Sequence, residues 1–303
     1  MPSLEGEEVS ETREHYNTIR AMNPSTLVHG CHSMKRLKRM IDAGGFEPTD
    51  PMRLGTGIHA LLLEPEEFEA KFVVEPDFHL EEGNKTATGK QSDSRATGYV
   101  KQRLSEFASQ NKDRVFLTRN QYDAALTAIE SLRERQHLVE IIDRCQKEIT
   151  LRGKILGHDC KGRVDLLDVD RGEIVDLKTT ACCERYNFGR QFANLHIAFK
   201  MAMYRELAQQ QFGRRFQCSL ITQETGGDFD NAYVPIPDIV LDNAWNKVRD
   251  VMERYQGCLQ TGVWNGVDGG ALVYDLHVPN WAMEDSSDLD WGNFETENEE
   301  VAF

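Results

Sequence analysis

The stretch GHDCKGRVDLLDVDRGEIVDLKTT, residues 157–180, reads as two short β-strands, RVDLLDV and EIVDLKT, joined by a tight Asp-Arg-Gly turn. β-Branched and apolar residues alternate with polar ones on either side of turn formers, which is the pattern of a hairpin. Side chains two apart on a strand share a face, so Asp176 and Lys178 meet on one side while Leu177 enters the core. The hairpin carries Asp165 beside them. Two carboxylates and one ammonium at the end of a sheet suit metal-dependent phosphodiester hydrolysis, in which acids hold Mg²⁺ and a lysine orients or deprotonates the attacking water. A D-x-K triplet alone carries little weight, because a strand with one wet edge often has both residues.

The surroundings add weight. Gly162-Arg163-Val164-Asp165 followed by Ile174-Val175-Asp176-Leu177-Lys178-Thr179-Thr180 resembles the core of the PD-(D/E)xK nuclease superfamily, in its RecE-like (exonuclease VIII type), RecB-type and lambda-exonuclease-like branch. Upstream, MRLGTGIHALLLEP from Met52 to Pro65 has Gly55-Thr56-Gly57 opening a short helix with His59 in its first turns. A lone His on an apolar helix is usually a core residue. Gly55 and His59, however, fit the G-x-x-x-H element of those nucleases, whose His reaches the metal.

The resemblance implies an α/β fold, a PD-(D/E)xK restriction-endonuclease-like core whose mixed central β-sheet is flanked by helices, with an N-terminal helical part. It implies His59, Asp165, Asp176 and the Leu177 carbonyl as ligands of Mg²⁺ or Mn²⁺, and Lys178 as the residue that positions water. Arg163, Lys161, Thr179, Lys200 and Tyr204 are the DNA-binding candidates. Lys200-Met-Ala-Met-Tyr204 stands where relatives have Q-x-x-x-Y; an ammonium can meet a phosphate but cannot copy the paired donor and acceptor of an amide. Glu148, on the strand CQKEITLRGKIL, is either a further catalytic acid or a solvated strand carboxylate.

The implied activity is hydrolysis of linear double-stranded DNA by a 5′-to-3′ exonuclease in recombination or repair, feeding a single-strand annealing protein and working as a homo-oligomeric ring. A structure-specific or single-strand endonuclease is the enzymatic alternative, since one metal site serves both. A non-catalytic DNA-binding module on the same fold is the other.

Composition sets the bounds. The chain has 303 residues, 40% hydrophobic and 28% charged, as in soluble globular proteins. No apolar run reaches the ~18–20 residues of a membrane helix, and the acidic start MPSLEGEEVSE is unlike a signal peptide, so a cytoplasmic location is expected. Seven cysteines without a C-x-x-C pair read as reduced thiols. The net charge of −15 opposes phosphate binding, yet ten of those charges lie beyond Arg254, where no Lys or Arg occurs. Lys147, Arg152, Lys154, Lys161, Arg163, Lys178, Arg185 and Arg190 gather around the hairpin, consistent with a locally basic groove.

In chain order, residues 1–22 read as a flexible N-terminus, 23–265 as a single nuclease domain, and 266–303 as an acidic tail. Within the domain, 23–140 is mostly helical and 141–265 holds the catalytic sheet. Asn23 or Ser25 caps a helix, STLVHGCHSMKRLKRMIDAGG, whose Lys35, Arg36, Lys38 and Arg39 form a solvated face or a phosphate contact. Residues 79–98 read as a mobile polar loop, 118–143 and 187–212 as one long helix each, 217–222 and the segment FDNAYVPIP as strands, and 241–260 as a last helix. The tail is a solvating segment by composition, or a docking peptide that competes with DNA.

Overall fold

The computed structural model describes residues 12–44 and 48–271. Its N-terminal part comprises α1 (Arg13–Thr18), α2 (Pro24–Leu27), α3 (Met34–Ala43), α4 (Asp50–Leu63) and α5 (Pro65–Lys71). A small parallel pair, β1 (Phe72–Val74) and β2 (Val115–Leu117), brackets α6 (Gly98–Gln110). Two further helices, α7 (Arg119–Arg133) and α8 (Gln136–Arg144), lead into the main sheet of β3 (Gln146–Ile155), β4 (His158–Asp168) and β5 (Glu173–Thr180). The chain closes with α9 (Arg185–Asn194), α10 (Ile197–Phe212), β6 (Gln217–Glu224), β7 (Asn231–Pro235) and α11 (Asp238–Thr261).

The main sheet has the order β3-β4-β5-β6-β7, antiparallel throughout except for β5 beside β6. It is the expected mixed sheet between helical layers. Leu151, Leu167, Ile174 and Leu220 pack under α10 and α11, whereas Leu166, Val175, Leu177 and Ile221 pack under α4, α7 and α8. Both faces are covered, which is why the middle of β5 reads as the apolar residues Ile174, Val175 and Leu177 interrupted by Asp176 of the site.

Several expected elements are subdivided. The helix expected from Ser25 is interrupted by a 3₁₀ turn, Val28–Cys31, and Ser33 restarts it by accepting the Arg36 N–H at 3.1 Å. A Cβ at Gly30 would lie 2.4 Å from Val251 Cγ1 of α11, so this turn is where the two helices touch. Residues 118–143 divide into α7 and α8, and 187–212 into α9 and α10 with His196 at φ 50 between them. α10 is buried on all sides, with Met201, Ala202 and Met203 consecutive in the core, so it is a central helix and not an amphipathic surface one.

The loop at 79–98 is ordered by Asn84, fully buried, whose amide donates to the carbonyls of His79, Ser92 and Ser94. Residues 12–22, expected as part of a flexible lead, carry α1 and join the sheet: Met22 bridges Cys160 on the edge of β4 that β5 leaves free. The seven cysteines are free thiols. No helix among the described residues is long and apolar enough to cross a membrane. The acidic run from Asp275 onward lies outside the described residues.

Candidate active site

β4 and β5 pair only from Leu166↔Val175 to Asp168↔Glu173. Beyond that point the strands part, and the site is built where they do. In place of a strand carbonyl, Asp165 Oδ2 accepts the Leu177 N–H at 2.7 Å. Glu148 faces Asp165 across the β3–β4 ladder, between the partners Lys147↔Leu166 and Ile149↔Val164. Glu148 takes φ 55, a left-handed conformation that costs a non-glycine residue on the order of 1–3 kcal/mol and collects at functional sites.

His59 arrives from the opposite layer on α4, placing Nδ1 3.6 Å from Asp165 Oδ2. Gly55 and Gly57 lie inside this helix and do not open it, since α4 starts at Asp50 with proline in its first turn. They allow close approach: a Cβ at Gly55 would meet Thr179 Oγ1 at 2.7 Å, and one at Gly57 would meet Leu117 Cδ1 at 3.1 Å. His59, Glu148 and Asp165 thereby offer ligand atoms within 4.8 Å of one another. Asp176, 4% exposed, lines the same cleft and is ion-paired to Lys178.

The electrostatics favour a cation. Burial first, then Lys178, pushes the His59 imidazole down to about 4, so it is a neutral donor at physiological pH. Burial and the neighbouring Asp176 charge push the Asp165 carboxyl up to about 7. Glu148 is likewise raised, by burial and then by Asp165. Crowded carboxylates that resist ionising together are relieved by a divalent ion, and an oxygen-rich set with one imidazole fits Mg²⁺ or, better, Mn²⁺. Burial pulls the Lys178 amine down, but Asp176 and Asp165 outweigh it and raise its pKa, so it stays charged.

The cleft encloses about 520 Å³. Thr179, Lys200 and Tyr204, all expected here, line it, as do Leu177, Arg163 and both hairpin aspartates. Tyr204 packs on the strand at Gly162, where a Cβ would lie 2.7 Å from its ring. Lys200 is held below the ordinary amine range by burial and then by Lys178.

Two DNA-binding candidates, Lys161 and Arg163, bond to groups of the protein itself. The Lys161 amine donates to the Tyr16 and Ile19 carbonyls at 2.6 and 2.9 Å and lies over the Tyr16 ring, so its capacity is spent on fastening α1. Arg163 donates through Nε to Glu148 at 2.5 Å and through a terminal nitrogen to Glu64 at 3.1 Å, with a side chain only 8% exposed. It braces an acid of the site from behind.

Glu64, Arg13 and Tyr16 escaped sequence reading. Arg13 and Tyr16 line the cleft from α1, a six-residue helix too short to leave a periodic signal. Glu64 stands at the end of α4 among ordinary acids, and nothing local marks it.

Residues 29–273 match the family described as a PDDEXK-like domain of unknown function (DUF3799). The chain belongs to this PDDEXK-like family. In structure, the PDDEXK-like chain is similar to a presumed exonuclease from Eubacterium rectale, with 12% sequence identity, 89% of this chain and 97% of that one covered, and a TM-score of 0.59. A phage-related exonuclease from Haemophilus somnus 129PT matches at 12% identity over 55% of this chain and 85% of that one, but its TM-score of 0.30 carries no argument. No curated protein matches the PDDEXK-like chain in sequence. The first likeness agrees with the family in fold.

Proposed function

We propose that this cleft is the active site of a metal-dependent deoxyribonuclease that hydrolyses phosphodiester bonds of linear double-stranded DNA from 5′ ends. The observation that carries the reading is the convergence of His59, Glu148 and Asp165 from three separate elements beside the Asp176–Lys178 pair. Scattered surface acids do not meet an imidazole and an ion-paired lysine in one buried cleft.

His59, Glu148 and Asp165 would hold Mg²⁺ or Mn²⁺, with Asp176 and the Leu177 carbonyl as further oxygen donors at the same place. When bound, the ion supplies positive charge to the phosphoryl oxygens and lowers the pKa of water. The chain's own groups do the rest. Leu177 N–H orients the Asp165 carboxylate, and the Arg163 guanidinium fixes Glu148. Lys178 is charged, so its role is to orient the attacking water and offset charge growing on the phosphoryl oxygens, not to remove a proton. Thr179, Lys200 and Tyr204 would hold the substrate phosphates. Ring assembly around duplex DNA and delivery of the remaining strand to an annealing protein follow from the family resemblance.

The test uses end-labelled linear duplex and closed circular DNA, with Mg²⁺, Mn²⁺ or EDTA. Release of 5′-terminal nucleotides from the linear form, abolished by EDTA and by Asp165→Asn, is the expected result. Cutting of the circle would replace exonuclease by endonuclease action. Metal-independent binding with no cutting would overturn the catalytic reading in favour of a DNA-binding module.

A further inference from the structure

The wall of the cleft formed by α2 and the start of α10 continues outward into positive charge with which no carboxylate among the described residues forms an ion pair. His29 and His32, at the break between α2 and α3, meet His196 from the α9–α10 corner, and the His32 and His196 rings stand edge to face with centroids 5.4 Å apart. Arg36 and Arg39 of α3, Lys200 of α10 and Lys247 of α11 surround them, and each imidazole is held below its ordinary pKa by burial first and by its cationic neighbours after that. Among the described residues none of these four cations has an ion-pair partner, whereas Lys38, Arg249 and Arg254 on the same helices are matched by Asp42, Glu253 and Asp250. Among the described residues the group of ligand atoms close enough for an ion is His59, Glu148 and Asp165, not these three imidazoles.

We propose that this patch is a track for the sugar-phosphate backbone of the DNA strand entering the cleft, gripping it several nucleotides from the bond to be cut. The proposal rests on the nuclease reading for its substrate and on charge complementarity for its placement. On a chain of net charge −15, the exposed cations Arg36, Arg39 and Lys247 form a local positive patch whose charge complements a polyanion. Continuity points to the same ligand as the cleft, because Pro24 and Ser25 at the head of α2 and Leu195, Ile197 and Lys200 around His196 are themselves cleft lining. Neutral imidazoles add N–H donors for phosphate oxygens without adding repulsion among the cations. His196 is held at φ 50 in this corner, a strain that a mere connector would shed by substitution to glycine. Contacts of this kind position a strand without reading its sequence.

The test is metal-free binding of a labelled 20-base-pair duplex in EDTA, at 50 and 200 mM monovalent salt. Each phosphate contact contributes about 0.9 to the logarithmic salt slope for duplex. Arg36→Gln, Arg39→Gln and Lys247→Gln together would therefore remove about 2.7, and the wild-type loss of affinity between the two salts exceeds the variant's by about 40-fold. A control with Lys101→Gln, Lys112→Gln and Arg133→Gln, exposed cations elsewhere, keeps the wild-type slope. A single-stranded 20-mer loses affinity in the same variant, with about 0.7 per contact. An unchanged slope in the first variant, an equal change in the control, or a loss confined to duplex would each overturn the track. Binding needs no metal here, so absence of cutting by the wild-type protein with Mg²⁺ or Mn²⁺ would sink the nuclease reading and leave this result standing.

Discussion

Arg163→Met separates two roles for one arginine. Its guanidinium is the shared partner of Glu148 and Glu64, whose side chains are 8% and 15% exposed, inside a strand that is otherwise core. Removing one partner of a buried pair costs about 3–5 kcal/mol, because the remaining charge keeps its desolvation penalty. Glu64 retains Lys71 at 3.2 Å, so the loss falls mainly on Glu148, and about 3–4 kcal/mol is expected. At about 2–4 °C per kcal/mol for a chain of this size, Tm falls by roughly 6–16 °C. Urea unfolding followed by tryptophan fluorescence gives the energy directly. Glu148→Gln in the Arg163→Met background should recover about 1–3 kcal/mol, since the two side chains are in contact and their effects do not add. The reasoning fails if Arg163→Met costs less than about 1 kcal/mol while weakening DNA binding. Arg163 would then be a phosphate contact after all.

Two other outcomes follow from the site. Asp165 is raised to about 7 by burial and then by Asp176, above its ordinary 3.8, so between those values the folded protein keeps a proton that the unfolded chain has released. Metal-free stability therefore falls as pH rises through that window, a divalent ion competes with the proton, and the rise in Tm on adding Mn²⁺ should be larger at pH 8 than at pH 5.5. Asp165→Asn should flatten that pH dependence; an unchanged difference between the two pH values in the variant would contradict it. Gly162→Ala places a methyl group 2.7–2.8 Å from the Tyr204 ring. Overpacking of this kind costs about 1–3 kcal/mol, and displacement of Tyr204 should raise KM for DNA; urea unfolding and steady-state kinetics on linear duplex check both.

The hairpin was legible because alternation on each side of a turn is a local property, and with it came the shared face of Asp176 and Lys178. His59 was legible through the resemblance of Gly55 and His59 to the G-x-x-x-H element of those nucleases, although the reason for the glycines was not. They admit Thr179 and Leu117 to the surface of α4, a contact between elements far apart in sequence. The helices expected from Ser25 and over 187–212 divided because the turn at Val28–Cys31 and His196 are governed by packing against neighbouring helices, which period alone does not record.

Strand alternation, local in the chain, was enough to put two aspartates and a lysine on one hairpin, and the resemblance to the PD-(D/E)xK superfamily implied the mixed-sheet α/β core and the role of the His59 imidazole. The tertiary structure alone decided what each cation and acid does. Arg163 and Lys161 lie two residues apart on one strand and look alike in sequence as basic candidates for DNA. One is spent on Glu148 and Glu64 and the other on carbonyls of α1, because those partners reach β4 from sequence-distant segments. Glu148 left the ranks of solvated strand acids for the same reason: burial, a left-handed backbone and an opposing Asp165 exist only once β3 lies against β4.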